Sequence, residues 1–151
     1  MGQVQRFEAY ADAFEKAFEA DDFSLLEPYF EPDAVYEIIG EPPLAGVHQG
    51  RVAVLEHLRN SVDSFDRAFD SRNLEILEGP EERDHGAWIR WRATYGVAGA
   101  PDFSMEGEEE VWFEEDRIVR LEDRYPAGVA AAVVRYLEEH GSKLHPVRRG
   151  G

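Results

Sequence analysis

Hydrophobic positions along this chain follow a helical period first and a strand period later. Phe7, Tyr10, Ala11, Phe14 and Phe18 recur at three- and four-residue steps, with Glu8, Asp12, Glu15 and Lys16 between them. That spacing predicts an amphipathic helix ending near Asp21 and Asp22. Asp22 is placed to cap a short second helix carrying Phe23, Leu26 and Phe30, whose length Pro28 and Pro32 limit. A strand is predicted over 34–39, a Pro- and Gly-rich loop over 40–50, and a third helix over 51–65 through Leu55, Leu58, Val62 and Phe65. Strand signals return over 67–77, a turn follows over 79–86, and 87–97 reads as a long strand. Val129, Val133, Tyr136 and Leu137 predict a terminal helix stopped at Gly141.

The strongest pattern lies over 103–125. Apolar residues occupy odd positions on two arms, Phe103, Met105, Val111 and Phe113, then Val119, Leu121 and Tyr125. Period two marks strands with one buried face. Two carboxylates, Glu109 and Asp123, interrupt that face. A hairpin turning over Glu115, Asp116 and Arg117 sets Phe113 opposite Val119, Val111 opposite Leu121 and Glu109 opposite Asp123. Two carboxyls facing each other in apolar surroundings cannot both ionise cheaply, so one holds its proton at raised pKa. The preceding turn, centred on Ala100, would pair Ile89 with Val111, Trp91 with Glu109, Ala93 with Gly107 and Tyr95 with Met105. The opposite face would then pair Arg90 with Glu110, Arg92 with Glu108 and Trp88 with Trp112. A one-residue slip would break both sets. Trp91, Tyr95, Met105, Glu109 and Asp123 are thus expected inside, and Arg90 and Arg92 outside. The outer face with Trp88 and Trp112 offers a homodimer surface.

Helices followed by a meander of long antiparallel strands imply an α+β cone or half-barrel, since the helices must cover one face of the sheet. The 151 residues suit one domain over 1–141 with a polar, basic tail over 142–151 expected to be disordered. Hydrophobic residues at 43% and aromatics at 12% argue for a globular chain. Thirty-two acidic against 16 basic residues give a net charge of −16, which disfavours nucleic acid and anionic membranes as partners. There is no cysteine, hence no disulfide, thiolate metal site or cysteine nucleophile. The polar N-terminus lacks signal-peptide character and no apolar run is long enough for a span, so a cytoplasmic protein is expected. His57, His85, His140 and His145 show no ligand spacing, and His57 is placed on a solvated helix face. No metal-binding order and no motif for phosphate or nucleophile chemistry is present.

The order of elements resembles the NTF2-like superfamily, particularly its SnoaL-like branch. The resemblance rests on DDFSLLEPYFEPDAVYEI (21–38), GVHQGRVAVLEHL (46–58) and DRIVRLEDRY (116–125), and covers roughly residues 5 to 138. It implies a conical pocket for a small hydrophobic molecule, a homodimer, and acid/base chemistry without a cofactor. It also admits members with no catalysis. Against ketosteroid isomerase the chain departs at Phe14, where that enzyme has an oxyanion-hole tyrosine, and at Glu37 and Ile38, where its aspartate follows the first strand. Against limonene epoxide hydrolase Tyr36 and Asp123 match, but Ile38 replaces an asparagine and no Arg-x-Asp occurs near Arg90 and Arg92. Asp123 is the match to the acid/base residue of SnoaL-like cyclases. The expected catalytic set is therefore Asp123 and Glu109, with Tyr36 and His48 holding or polarising a substrate oxygen. Phe14, Ile38, Trp91, Tyr95 and Met105 form the expected wall. Isomerisation, cyclisation, dehydration and hydrolysis remain open, as does a non-catalytic binding or dimerisation module.

Overall fold

The computed structural model describes residues 2–146. Helix α1 (Gln3–Ala20) buries Phe7, Tyr10, Ala13 and Ala17, and stops where Asp21 turns left-handed at φ 55°. The Asp22 side chain accepts the Ser24 amide at 3.1 Å and caps a 3-10 turn over Phe23–Tyr29. Strand β1 (Phe30–Ile39), strand β2 (Gly46–Gln49) and helix α2 (Arg51–Ser64) follow, then β3 (Ser71–Glu82), β4 (Gly86–Gly96), β5 (Phe103–Glu114), β6 (Arg117–Arg124) and α3 (Val129–His140). The strands form one open mixed sheet in the order β2-β1-β6-β5-β4-β3, with β1 parallel to β6 and every other pair antiparallel. Helix α1 packs against β3 and β4, and α2 against β1 and β2. The core between helices and sheet includes Leu26, Phe30, Val54, Val111, Ile118 and Leu121, all fully buried.

Three local features differ from the periodicity reading. Four residues of the 40–50 loop form β2, pairing Tyr36 with His48; a strand that short beside a Gly/Pro run carries no readable period. The strand expected from 67 begins at Ser71, because Asp66–Ala68 is spent on a 3-10 turn. It then runs through Gly79 and Pro80, where a turn was expected. Strand β3 is an edge, so proline removes no ladder bond there, and the register slips on both sides of Glu78.

The β4–β5 register also differs from the expectation, by two residues. Ile89 faces Glu109, Trp91 faces Gly107, Ala93 faces Met105, Tyr95 faces Phe103, Arg90 faces Glu108, Arg92 faces Glu106 and Trp88 faces Glu110. A shift of two preserves which face each residue occupies while changing its partner. Two glycines select this register. Gly99, at φ 88°, takes the left-handed place in the turn, where alanine at 100 would be strained. Gly107 lies under the Trp91 indole, where any Cβ would stand 2.7 Å from Cζ2. In the β5–β6 hairpin Glu115 and Asp116 both have positive φ, the turn being only those two residues. A bulge after Trp112 then places Ile118, rather than Val119, opposite Phe113 and in the core.

The outer face is held by charge. Arg90 pairs with Glu78 and Glu106, and Arg92 with Glu75 and Glu106, so both arginines lie on the sheet face opposite α1 and α2. Trp88 and Trp112 are not opposed: Trp88 is buried and its Nε1 donates to Glu108 at 2.8 Å, while Trp112 stacks on His85 at 4.5 Å. The tail expected to lack structure from residue 142 is fixed at its start. Gly141–Lys143 forms a 3-10 turn and the His145 amide donates to the Ala68 carbonyl at 2.9 Å; residues 147–151 lie outside the described residues. Among the described residues no helix is long and apolar enough to cross a membrane.

Candidate functional site

Strand pairing brings three polar side chains together on the inner sheet face. The antiparallel β5–β6 ladder sets Glu109 directly opposite Asp123. The parallel β1–β6 ladder carries Tyr36 alongside, and its hydroxyl donates to Asp123 Oδ2 in a short contact. Asp123 is 8% exposed. Glu109 keeps somewhat more free surface, and that surface opens into an internal cavity of about 410 Å³.

Burial raises Glu109 well above the ordinary carboxylate range, and the Asp123 charge and a hydrogen bond to Asp123 add to the shift. Burial also raises Asp123, but bonds from Glu109 and Tyr36 and the nearby Arg124 charge oppose the rise. Their environments thus push the two groups apart, with the proton on Glu109 and the charge on Asp123. Asp123 Oδ1 is sealed from solvent and no amide, hydroxyl or basic group donates to it. A proton on Glu109 gives this oxygen its donor. The pair thus stores one proton and one negative charge out of water, an arrangement able to take a proton from one atom and return it to another.

Two further hydroxyls face the same cavity. Tyr10 on α1 and Tyr125 just after β6 line it, and neither hydroxyl has a hydrogen-bond partner among the described residues. Burial raises both phenols well above their usual value, and the negative pair adds to the effect through Glu109 and Asp123 at Tyr10 and Asp123 at Tyr125. They therefore stay protonated and available as donors. Tyr36, raised by burial and by Asp123, has its hydroxyl committed to that carboxylate rather than free for a substrate oxygen.

Of the expected wall, Phe14, Trp91, Tyr95 and Met105 line the cavity, joined by Leu58 and Phe65. Ile38 is buried in the core but is not part of the lining. His48 is also outside it. Its ring stacks on His57 at 3.8 Å between centroids and 20° between planes, next to the Tyr36 ring. His57 is therefore half-buried rather than on a solvated face, and burial together with His48 lowers its pKa and keeps it neutral.

A second polar group, which periodicity missed, sits elsewhere on the cavity wall. Arg72 on β3 donates to Asp66 at 2.8 Å and to Glu15 on α1 at 3.0 Å, and the Tyr95 hydroxyl reaches Asp66 at 3.4 Å. In a chain with 32 acidic residues no sequence signal separates Asp66 or Glu15 from solvated carboxylates. Tyr10 and Tyr125 were legible only as apolar positions, since their hydroxyls leave no trace in the hydrophobic period. Among the described residues no group of three or more metal-ligating side chains converges.

The SnoaL-like domain family matches residues 8–121. No curated protein matches the sequence. Solved structures with the same fold include Bal32a from a soil-derived mobile gene cassette, at 18% identity and TM-score 0.64 over 89% of this chain and 98% of that one. TerC co-crystallised with polyporic acid aligns at 15% identity and TM-score 0.62, covering 88% and 98% of the two chains. An NTF2-like protein from Burkholderia xenovorans aligns at 20% and 0.58, covering 87% and 95%. At these identities the likeness concerns the fold, an α+β cone with its sheet wrapped around the helices.

Proposed function

The chain belongs to the SnoaL-like family, and from that premise we propose that it is an acid/base enzyme acting on a small, mostly apolar, oxygenated molecule held in the cone. The observation that carries the reading is the Glu109–Asp123 pair, directly opposed on the cavity wall where burial raises both carboxyls. Asp123, oriented by Tyr36, takes a proton from a carbon next to a carbonyl. The C–H electron pair becomes a C=C bond, and the carbonyl electrons move onto oxygen. The Tyr10 and Tyr125 hydroxyls hold that oxyanion, where preorganised donors in a dry site are most effective. The pair then carries two protons and no charge, and Glu109 returns one of them to another atom of the substrate, which restores the single proton and the negative charge on the pair. Isomerisation, aldol cyclisation and dehydration can all be built on such a transfer, whereas hydrolysis would require the same base to take its proton from a water molecule. Phe14, Trp91, Tyr95 and Met105 exclude water and orient the apolar body. His48 has no part in the chemistry, and Ile38 serves the core.

A non-catalytic binding role is the second reading. It is favoured by Asp123 itself, whose Oδ2 accepts the Tyr36 hydroxyl and whose Oδ1 is sealed from solvent. Solvent exchange at carbon separates the two. In D2O, 2-acetylnaphthalene should lose its acetyl methyl protons faster with the protein than with buffer, followed by proton NMR. Asp123→Asn should remove the acceleration. An acceleration that survives Asp123→Asn, or none in the unmodified protein, contradicts the enzymatic reading. We further propose a homodimer through the outer sheet face bearing Trp88, Arg90, Arg92 and Trp112, in a cytoplasmic protein; sedimentation as a monomer at micromolar concentration would rule the dimer out.

A further inference from the structure

Two polar groups line the cavity, and they differ in kind. One is the Glu109–Asp123 pair with its free tyrosine hydroxyls. The other is Asp66, Glu15 and Arg72, contributed by the turn after α2, by α1 and by β3, with Tyr95 beside them. Phe14, Phe65, Trp91 and Met105 supply apolar wall to the same cavity.

The second group has two carboxylates and one guanidinium. Arg72 Nε and the Tyr95 hydroxyl both reach Asp66 at Oδ2, so the carboxylate retains accepting capacity at Oδ1. Burial outweighs Arg72 and raises Asp66, while the Arg72 charge and hydrogen bonds from Arg72, Tyr95 and the Asp66 backbone amide oppose the rise. With Asp123 on the same cavity lining and a chain charge of −16, an incoming anion meets repulsion from both groups. A donor group on the ligand meets a partly buried carboxylate whose side-chain partners reach only Oδ2.

We propose that the cavity selects uncharged or cationic ring compounds that carry a carbonyl oxygen at one end and a hydroxyl or amino donor at the other, the donor being received by Asp66 with Glu15 behind it, and that it rejects carboxylated analogues. The proposal rests on the acid/base reading for which end of the ligand reacts. It adds what the other end must be. A cavity of about 410 Å³ lies at the small end of the range for small-molecule sites, about 300–1,000 Å³, which suits two fused rings with short substituents.

The test is a set of 2-acetylnaphthalenes carrying hydrogen, hydroxyl, amino, methoxy or carboxylate at the 6-position, with Kd measured by calorimetry at neutral pH. A hydrogen bond to a charged acceptor makes the hydroxyl and amino compounds on the order of tenfold tighter than the methoxy compound. The carboxylate should not bind detectably. Asp66→Asn should cut the hydroxyl advantage to about threefold or less and admit the carboxylate. Glu15→Gln, at a side chain 42% exposed, should shift the ranking the same way. Equal affinity for hydroxyl and methoxy compounds, a carboxylate that binds as well as the hydroxyl, a ranking unchanged in both variants, or no binding by any member overturns the proposal. Methyl-proton exchange measured on the same compounds keeps the two claims apart. Ranked binding without exchange leaves this proposal standing and removes the acid/base reading, whereas exchange without ranking does the reverse.

Discussion

Replacing Glu109 by glutamine should make the protein's stability less dependent on pH and leave the fold in place. The folded-state pKa of Glu109 is raised by burial and by Asp123, whereas in the unfolded chain it titrates near about 4.3. Between those two values the folded state holds one more proton than the unfolded state. Stability must then fall as pH rises through that window, by up to about 1.4 kcal/mol per pH unit. At about 2–4 °C per kcal/mol for a chain of this length, the Tm should drop by roughly 3–6 °C for each pH unit inside the window. Below about pH 4 the effect vanishes because both states are protonated. Glutamine does not titrate, yet its amide can donate to Asp123 as the protonated acid does. The variant's stability curve should therefore lack this slope, and at pH 8 it should equal or exceed the unmodified protein. Urea unfolding at half-unit pH steps from 4 to 9 measures both curves. Groups outside the coupled pair contribute equally to each, so the difference isolates the Glu109–Asp123 pair. Parallel curves would refute the assignment of a raised, buried carboxyl there.

Further outcomes follow from single side chains. Tyr10→Phe removes one free donor at the pair and should lower the exchange rate constant about 100-fold at saturating ketone with little change in binding, read by NMR at several ketone concentrations. Gly107→Ala puts a Cβ 2.7 Å from the Trp91 indole and should cost about 1–3 kcal/mol while shifting tryptophan emission as the ring leaves the wall, which denaturation and fluorescence together report. His57 has its pKa lowered by burial and by His48, so between that value and about 6.5 the unfolded chain takes a proton the folded one refuses, and stability falls as pH drops. His57→Phe should lose less stability than the unmodified protein between pH 7.5 and 5.5, measured by urea midpoints.

How far the sequence reached depends on what each residue's period encodes. The hairpin over 103–125 was legible because apolar odd positions and a charged turn fix both strands. Glu109 and Asp123 stood out there as carboxylates on an apolar face, and the ladder does oppose them. Pairing across the β4–β5 turn was not legible, because a two-residue shift leaves every face unchanged. Only the Gly99 backbone and the Gly107 space beneath Trp91 decide it. His57 was misplaced for a related reason: β2, too short to announce itself, brings His48 onto the helix face that had been assigned to solvent. Tyr10, Tyr125, Asp66 and Arg72 became visible as cavity polar groups only once α1, β3 and the turn after α2 were set against the sheet.

The central claim is that one buried proton is shared by Glu109 and Asp123, and carboxyl carbon NMR reads it most directly. With the protein labelled at Asp and Glu side chains, and signals assigned through Asp123→Asn and Glu109→Gln, chemical shifts are followed from pH 3 to 10. An unperturbed carboxyl titrates near about 4. The account predicts that Glu109 titrates above the ordinary carboxylate range, and that its midpoint falls in Asp123→Asn, where the opposing charge is gone. Both carboxyls titrating together near the ordinary value, each indifferent to loss of the other, would contradict it.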